Sequence, residues 1–138
     1  METITIFTDG GSRGNPGPSA IGVYIVGVQG KVIKEVAERI GNATNNFAEY
    51  QAVMRGLQIA KELFGEKTKD ILFEIKLDSE LVKKQLNSEY QINEPGLVPH
   101  FIEIHNMRVA SFPNLTFTHV SRELNKEADR LVNEALDA

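Results

Sequence analysis

The sequence predicts an α/β fold in which a five-stranded mixed sheet, three antiparallel strands followed by two parallel ones, is flanked by helices. Three observations predict it. Three short runs rich in β-branched residues come first, joined by a Gly/Pro loop and a Gln29-Gly30 turn. Two further apolar runs, at 71–77 and 115–120, are each reached through helical segments, and such crossovers make parallel strands, right-handed in nearly all cases. Finally, 138 residues, 41% of them hydrophobic and 25% charged, suffice for one core, and no repeat or linker divides them. One domain over residues 1–138 is expected.

Taken in order, Thr3 to Thr8 alternates as a strand, with Ile4 and Ile6 on one face and Phe7 with Asp9 on the other. Beyond the loop, Ala20–Val28 and Val32–Ile40 complete a meander. Thr44-Asn45-Asn46-Phe47-Ala48-Glu49 opens a helix to about Phe64, whose apolar stripe includes Ala52, Val53, Gly56, Leu57 and Ala60. Ile71–Leu77 is the fourth strand and ends on Asp78. Ser79–Leu86 continues as a short helix, and the polar, turn-rich 87–99 reads as a loop. His100 to about Ser111 is helical with a weak stripe, Leu115–Val120 the fifth strand, and Leu124–Leu136 a closing amphipathic helix. The simplest sheet sets the fourth strand beside the first, so that Asp9 and Asp78 lie at the carboxyl ends of neighbours, where open α/β sheets bind ligands.

Composition removes several functions. There is no cysteine, which excludes disulfides and thiolate zinc sites and suits a reducing cytoplasm. The N-terminal residues carry no basic and apolar signal segment, and no apolar run is long enough to span a membrane. The formal net charge of −4, from 15 Lys+Arg against 19 Asp+Glu, counts by itself against a polyanionic partner.

Four acids change that balance. Asp9 reads alone as a turn residue and Asp78 as a helix N-cap. Glu49 lies on the line of Val53, Gly56 and Ala60, at spacings of 4, 7 and 11, and so points at the sheet, although Asn46–Glu49 also fits a capping pattern. Asp129 adjoins the stripe Ala128, Leu131, Val132 and Ala135, with a solvated acid beside Arg130 as the plainer reading. All four arrive at strand ends or first helical turns that one sheet edge can gather. Clustered carboxylates are unfavourable without positive charge among them. With no cysteine and three histidines, the available ligands are hard oxygens suited to Mg²⁺ or Mn²⁺. Two such ions neutralise four acids, leaving the remainder of the surface uncharged overall, and would serve phosphodiester hydrolysis.

The stretches TDGGSRGNPGPSAIG, TNNFAEYQAV, LDSELVKKQL and HVSRELNKEADRLVNEA, in this order and spacing, resemble type 1 ribonuclease H from about Thr5 to Ala135. The resemblance implies the ribonuclease H-like fold and two Mg²⁺ ions, with Mn²⁺ a substitute. It implies endonucleolytic cutting of the RNA strand of RNA–DNA hybrids to 5′-phosphate and 3′-hydroxyl ends. The family's acidic set falls on Asp9, Glu49, Asp78 and Asp129, with Asp9 shared by both ions. Asn15, Asn45 and Asn46, and more weakly Ser12, fall on positions that touch substrate in the minor groove, where 2′-hydroxyls mark RNA. His119, ten residues before Asp129, has the spacing of the family's auxiliary histidine. It alternates with Leu115 and Phe117, however, and so also reads as a packed residue, and Arg122 is the alternative for that role.

The basic handle that many members insert after the third motif is missing, since Asn87–Gly96 holds no Lys or Arg. Hybrid affinity then rests on Arg13, Lys83, Lys84, Arg122 and the metals. A monomer is the default expectation. A non-catalytic relative that only binds nucleic acid or protein is the alternative, disfavoured by the presence of all four acids.

Overall fold

The computed structural model describes residues 1–138. Strands β1 (Thr3–Ser12), β2 (Gly17–Val26) and β3 (Val32–Ala43) form the meander, followed by helix α1 (Asn45–Phe64). Strand β4 (Leu72–Leu77), helices α2 (Glu80–Leu86) and α3 (Val98–Ser111), strand β5 (Thr116–His119) and helix α4 (Lys126–Asp137) complete the chain. The sheet order is β3-β2-β1-β4-β5, antiparallel among the first three and parallel from β1 through β4 to β5. No helix is long and apolar enough to cross a membrane.

Alternation along the strands decides which face holds the core. Ile4 and Ile6 of β1, Val23 and Ile25 of β2, and Phe73, Ile75 and Leu77 of β4 are fully buried on one side. Helix α1 covers them with Val53, Leu57 and Ala60, and Ile104 and Phe112 close the cluster from the α3 side. Each such fully buried aliphatic side chain stabilises the fold by about 1.5–3 kcal/mol. The Thr44 hydroxyl accepts from the Phe47 amide at 3.2 Å and caps α1. The opposite face carries α4, which packs on it through Ala128, Leu131, Val132 and Ala135.

Two glycines set how closely the helices sit. A Cβ on Gly10 would stand 2.2 Å from the Ala48 carbonyl carbon and 2.4 Å from the Glu49 nitrogen, so α1 rests on bare β1 backbone. A Cβ on Gly22 would stand 2.2 Å from the Ala128 oxygen, so α4 rests likewise on β2. Gly22 is the cross-strand partner of Asp9, and Gly10 follows Asp9 in the chain. Both helices thus make their closest approach around one aspartate.

The structure departs from the sequence reading at several boundaries. β1 does not stop at Thr8 but runs to Ser12, because β2 begins early enough to pair Ser12 with Ser19. Asp9 therefore lies inside a strand, at the point where pairing with β4 ends at Thr8 and Leu77. α3 begins at Val98 rather than His100, since Pro99 sits in its first turn, where its missing N–H costs nothing. α4 begins at Lys126 rather than Leu124, after a 3₁₀ turn over Arg122–Asn125.

Candidate active site

The sheet edge beyond β4 gathers the acids. Asp78 directly follows β4 and stands beside Asp9 on the adjacent strand. Glu49 reaches them from the start of α1 across Gly10. Carboxylate oxygens of Asp9, Glu49 and Asp78 lie within 4.8 Å of one another. Asp129, in the first turn of α4, is exposed at the rim, outside that tight group but on the wall of the same cavity of about 300 Å³. The capping reading of Glu49 is wrong, because Thr44 caps the helix and Glu49 is only 7% exposed.

Burial dominates the electrostatics. It pushes the Asp9 carboxyl up to about 7, helped by the charges of Asp78 and Asp129. Burial, with the Asp9 and Asp78 charges, also holds Glu49 well above the usual carboxylate range, while the Gly10 amide pulls the other way. Glu49 Oε2 is buried without a donor. No lysine or arginine is ion-paired with any of the four acids. Three carboxylates this close in low dielectric call for protons or cations among them, and an all-oxygen donor set fits a hard divalent ion.

The auxiliary candidates separate. His119 pairs with Leu77 in the β4–β5 ladder and its side chain is exposed, so it is not a packed histidine, yet it does not line the carboxylate cavity. Arg122 does line it. Asn15 Oδ1 accepts from the Asn45 amide at 3.0 Å, and Asn45 Oδ1 accepts from the Ser12 amide at 2.9 Å. Both side-chain carbonyls are thereby committed to shaping the loop, and both NH₂ groups stay available as donors. The Ser12 hydroxyl is engaged with the Ala43 and Gly14 carbonyls. Asn46 Nδ2 donates to Glu94 Oε1 at 2.9 Å.

Several cations expected to hold substrate are engaged within the chain. Arg13 pairs with Asp137 at 2.6 Å, Lys83 with Glu89 at 3.3 Å and Lys84 with Glu80 at 3.1 Å. Arg122 makes no such pair. Sequence reasoning also missed Asn125, a residue 1% exposed that precedes α4. Its amide donates to the Thr8 carbonyl at 2.9 Å and to Asp78 Oδ2 at 3.2 Å. Nothing local marks it, because both partners are distant in the chain.

This arrangement has known counterparts. A family model described as reverse transcriptase-like matches residues 7–135. LC11-RNase H1, isolated from compost by a metagenomic approach, superposes with a TM-score of 0.94 at 45% identity, over 99% of this chain and 97% of that one. The chain belongs to the ribonuclease H1 family. Ribonuclease HI of Halobacterium salinarum is 42% identical over 134 residues, 97% of this chain and 64% of that protein. A bifunctional protein of Mycobacterium tuberculosis is 35% identical over 98% of this chain but only 36% of its own length. The chain thus spans less than two thirds of these two relatives. LC11-RNase H1 has also been solved in complex with an RNA/DNA hybrid, at a TM-score of 0.93 to this chain over 97% of this chain and 96% of that one. As in the expected ribonuclease H fold, five strands run in mixed directions with four helices about them.

Proposed function

We propose that this ribonuclease H1 family member is an endonuclease that hydrolyses the RNA strand of RNA–DNA hybrids, leaving 5′-phosphate and 3′-hydroxyl ends. Residues 1–138 would form one catalytic domain, acting as a monomer in the cytoplasm. The observation that carries this reading is the triad of buried Asp9 and Glu49 with half-buried Asp78, whose oxygens crowd within 4.8 Å with no basic side chain paired to them. Its likeness to LC11-RNase H1, solved with a hybrid, supports the substrate class.

Asp9, Glu49, Asp78 and Asp129 would hold two divalent ions, Mg²⁺ or Mn²⁺, with Asp9 serving both. Bound there, the ions would supply water activation at neutral pH and charge neutralisation at the leaving oxygen. The chain's own groups do the remaining work. Arg122 can grip phosphate oxygens with two parallel N–H donors. The free NH₂ groups of Asn15 and Asn45 face outward as donors, matching the acceptor-rich minor groove edge. Asn46 joins them once Glu94 lets go.

The test uses labelled hybrid, duplex RNA and duplex DNA, each with Mg²⁺, Mn²⁺ or EDTA. Cutting confined to the RNA strand of the hybrid, and lost in EDTA, is the expected result. Hybrid binding without cleavage under either ion would make the chain a binding module instead. Within this assay, Arg122→Ala is expected to lower the rate about tenfold or more, and His119→Ala to stay near the parent. Both side chains are exposed, so melting temperatures should barely move. A His119→Ala rate as low as that of Arg122→Ala would return the auxiliary role to the histidine.

A further inference from the structure

Among the polar groups outside the acidic set, Asn125 is almost fully buried and bonds directly to one of its members. Its two short contacts fix how the amide must sit. Thr8 offers a carbonyl and Asp78 a carboxylate oxygen, both pure acceptors, so Nδ2 must face them with both of its hydrogens in use. A flipped amide would set Oδ1 against two oxygens. Asn125 Oδ1 correspondingly has no partner in the buried space it occupies.

We infer that Asn125 is a positioning residue for the divalent-ion site. It fixes the orientation of the Asp78 carboxylate and ties it to the end of β1 from which Asp9 projects. The inference rests on the proposed metal site and adds to it a residue outside the carboxylates. One amide bridges the main chain immediately before Asp9 and the side chain of Asp78, so the spacing of the two acids is set from the 3₁₀ turn that leads into α4. Donating to Asp78 Oδ2 leaves the other oxygen oriented for a ligand. No other small side chain duplicates this. Aspartate has no donor, and serine has a single proton and is too short for both acceptors.

Partners of this kind, when removed, typically cost about 10–100-fold in metal affinity. Asn125→Ala is therefore expected to weaken Mn²⁺ binding about tenfold or more, measured on the folded full chain by electron paramagnetic resonance or water-proton relaxation. Serine at this position should weaken it as well. The Mg²⁺ concentration for half-maximal cleavage should rise in parallel, while KM for hybrid at saturating Mg²⁺ stays at the parent value. A merely structural role would lower the melting temperature and leave the Mn²⁺ dissociation constant of the folded protein within about twofold; that result overturns the inference. If Asn125→Ala does not fold, Asn125→Ser is measured in the same way and decides. Failure of the parent chain to bind Mn²⁺ at all would overturn the metal site itself, and with it this inference, a result distinct from equal binding by parent and variant.

Discussion

Asp9→Asn will abolish hydrolysis and, in metal-free buffer at pH 8, raise the melting temperature. The first effect follows from removing the ligand proposed to serve both ions, which should cost at least three orders of magnitude in rate, or about 4 kcal/mol of transition-state stabilisation. The second follows from the raised carboxyl at about 7. In the unfolded chain Asp9 ionises near its ordinary value, so between roughly pH 4 and 7 the unfolded state sheds a proton that the folded state keeps. Folding stability without metal therefore falls as pH rises through this window and then levels off. The full shift corresponds to on the order of 4 kcal/mol, part of it shared with Glu49. Asparagine removes the charge and should recover about 2–4 kcal/mol at pH 8, but almost nothing near pH 4. Thermal melts at the two pH values, with and without Mg²⁺, check the sign. Saturating Mg²⁺ should stabilise the parent and not the variant. Substantial residual turnover in Asp9→Asn would mean that the ions sit elsewhere.

Gly10→Ala should be the most damaging single methyl in the chain. The added carbon would meet the Ala48 carbonyl at 2.2–2.3 Å and the Glu49 nitrogen at 2.4 Å, and neither can rotate away because both are helix backbone. α1 must lift off β1, opening the core beneath Val53 and Leu57 and drawing Glu49 from Asp9. Overpacking of this kind costs about 3 kcal/mol or more, and a chain of this size then melts roughly 10 °C lower or fails to fold. Gly96→Ala, with nothing within 4 Å of the added carbon, is the control and should melt like the parent. A Gly10→Ala protein with unchanged melting and metal binding would show that the close seat of α1 is not needed.

The fold was legible because its signals are periodic. Alternation marks Ile4–Ile6 and Phe73–Leu77, and helical spacing marks the α1 stripe, so strand order followed from crossover rules. The acids were legible as residues, but how tightly each joins the group was not. Asp129 stands at the rim rather than in the tight triad, because α4 is held by Gly22 at a height that no local pattern encodes. Glu49 was ambiguous between cap and ligand until Thr44 proved to be the cap. Asn125 and the pair Arg13–Asp137 escaped altogether, since each contact joins residues far apart in the chain. The Ser12 hydroxyl, expected at the substrate, is taken up by the Gly14 carbonyl of its own loop and the Ala43 carbonyl of β3.

Gly10 and Gly22 have one more consequence. Because main chain rests directly on main chain at both seats, Glu49 and Asp129 are placed relative to Asp9 by backbone contact as well as by apolar packing. The oily interior can drift, swapping isoleucine for valine or leucine for methionine and losing melting temperature as it does, while the two backbone seats hold. Catalytic competence and thermal robustness should therefore evolve as partly separate traits in this chain, coupled through those two bare positions and the apolar packing about them.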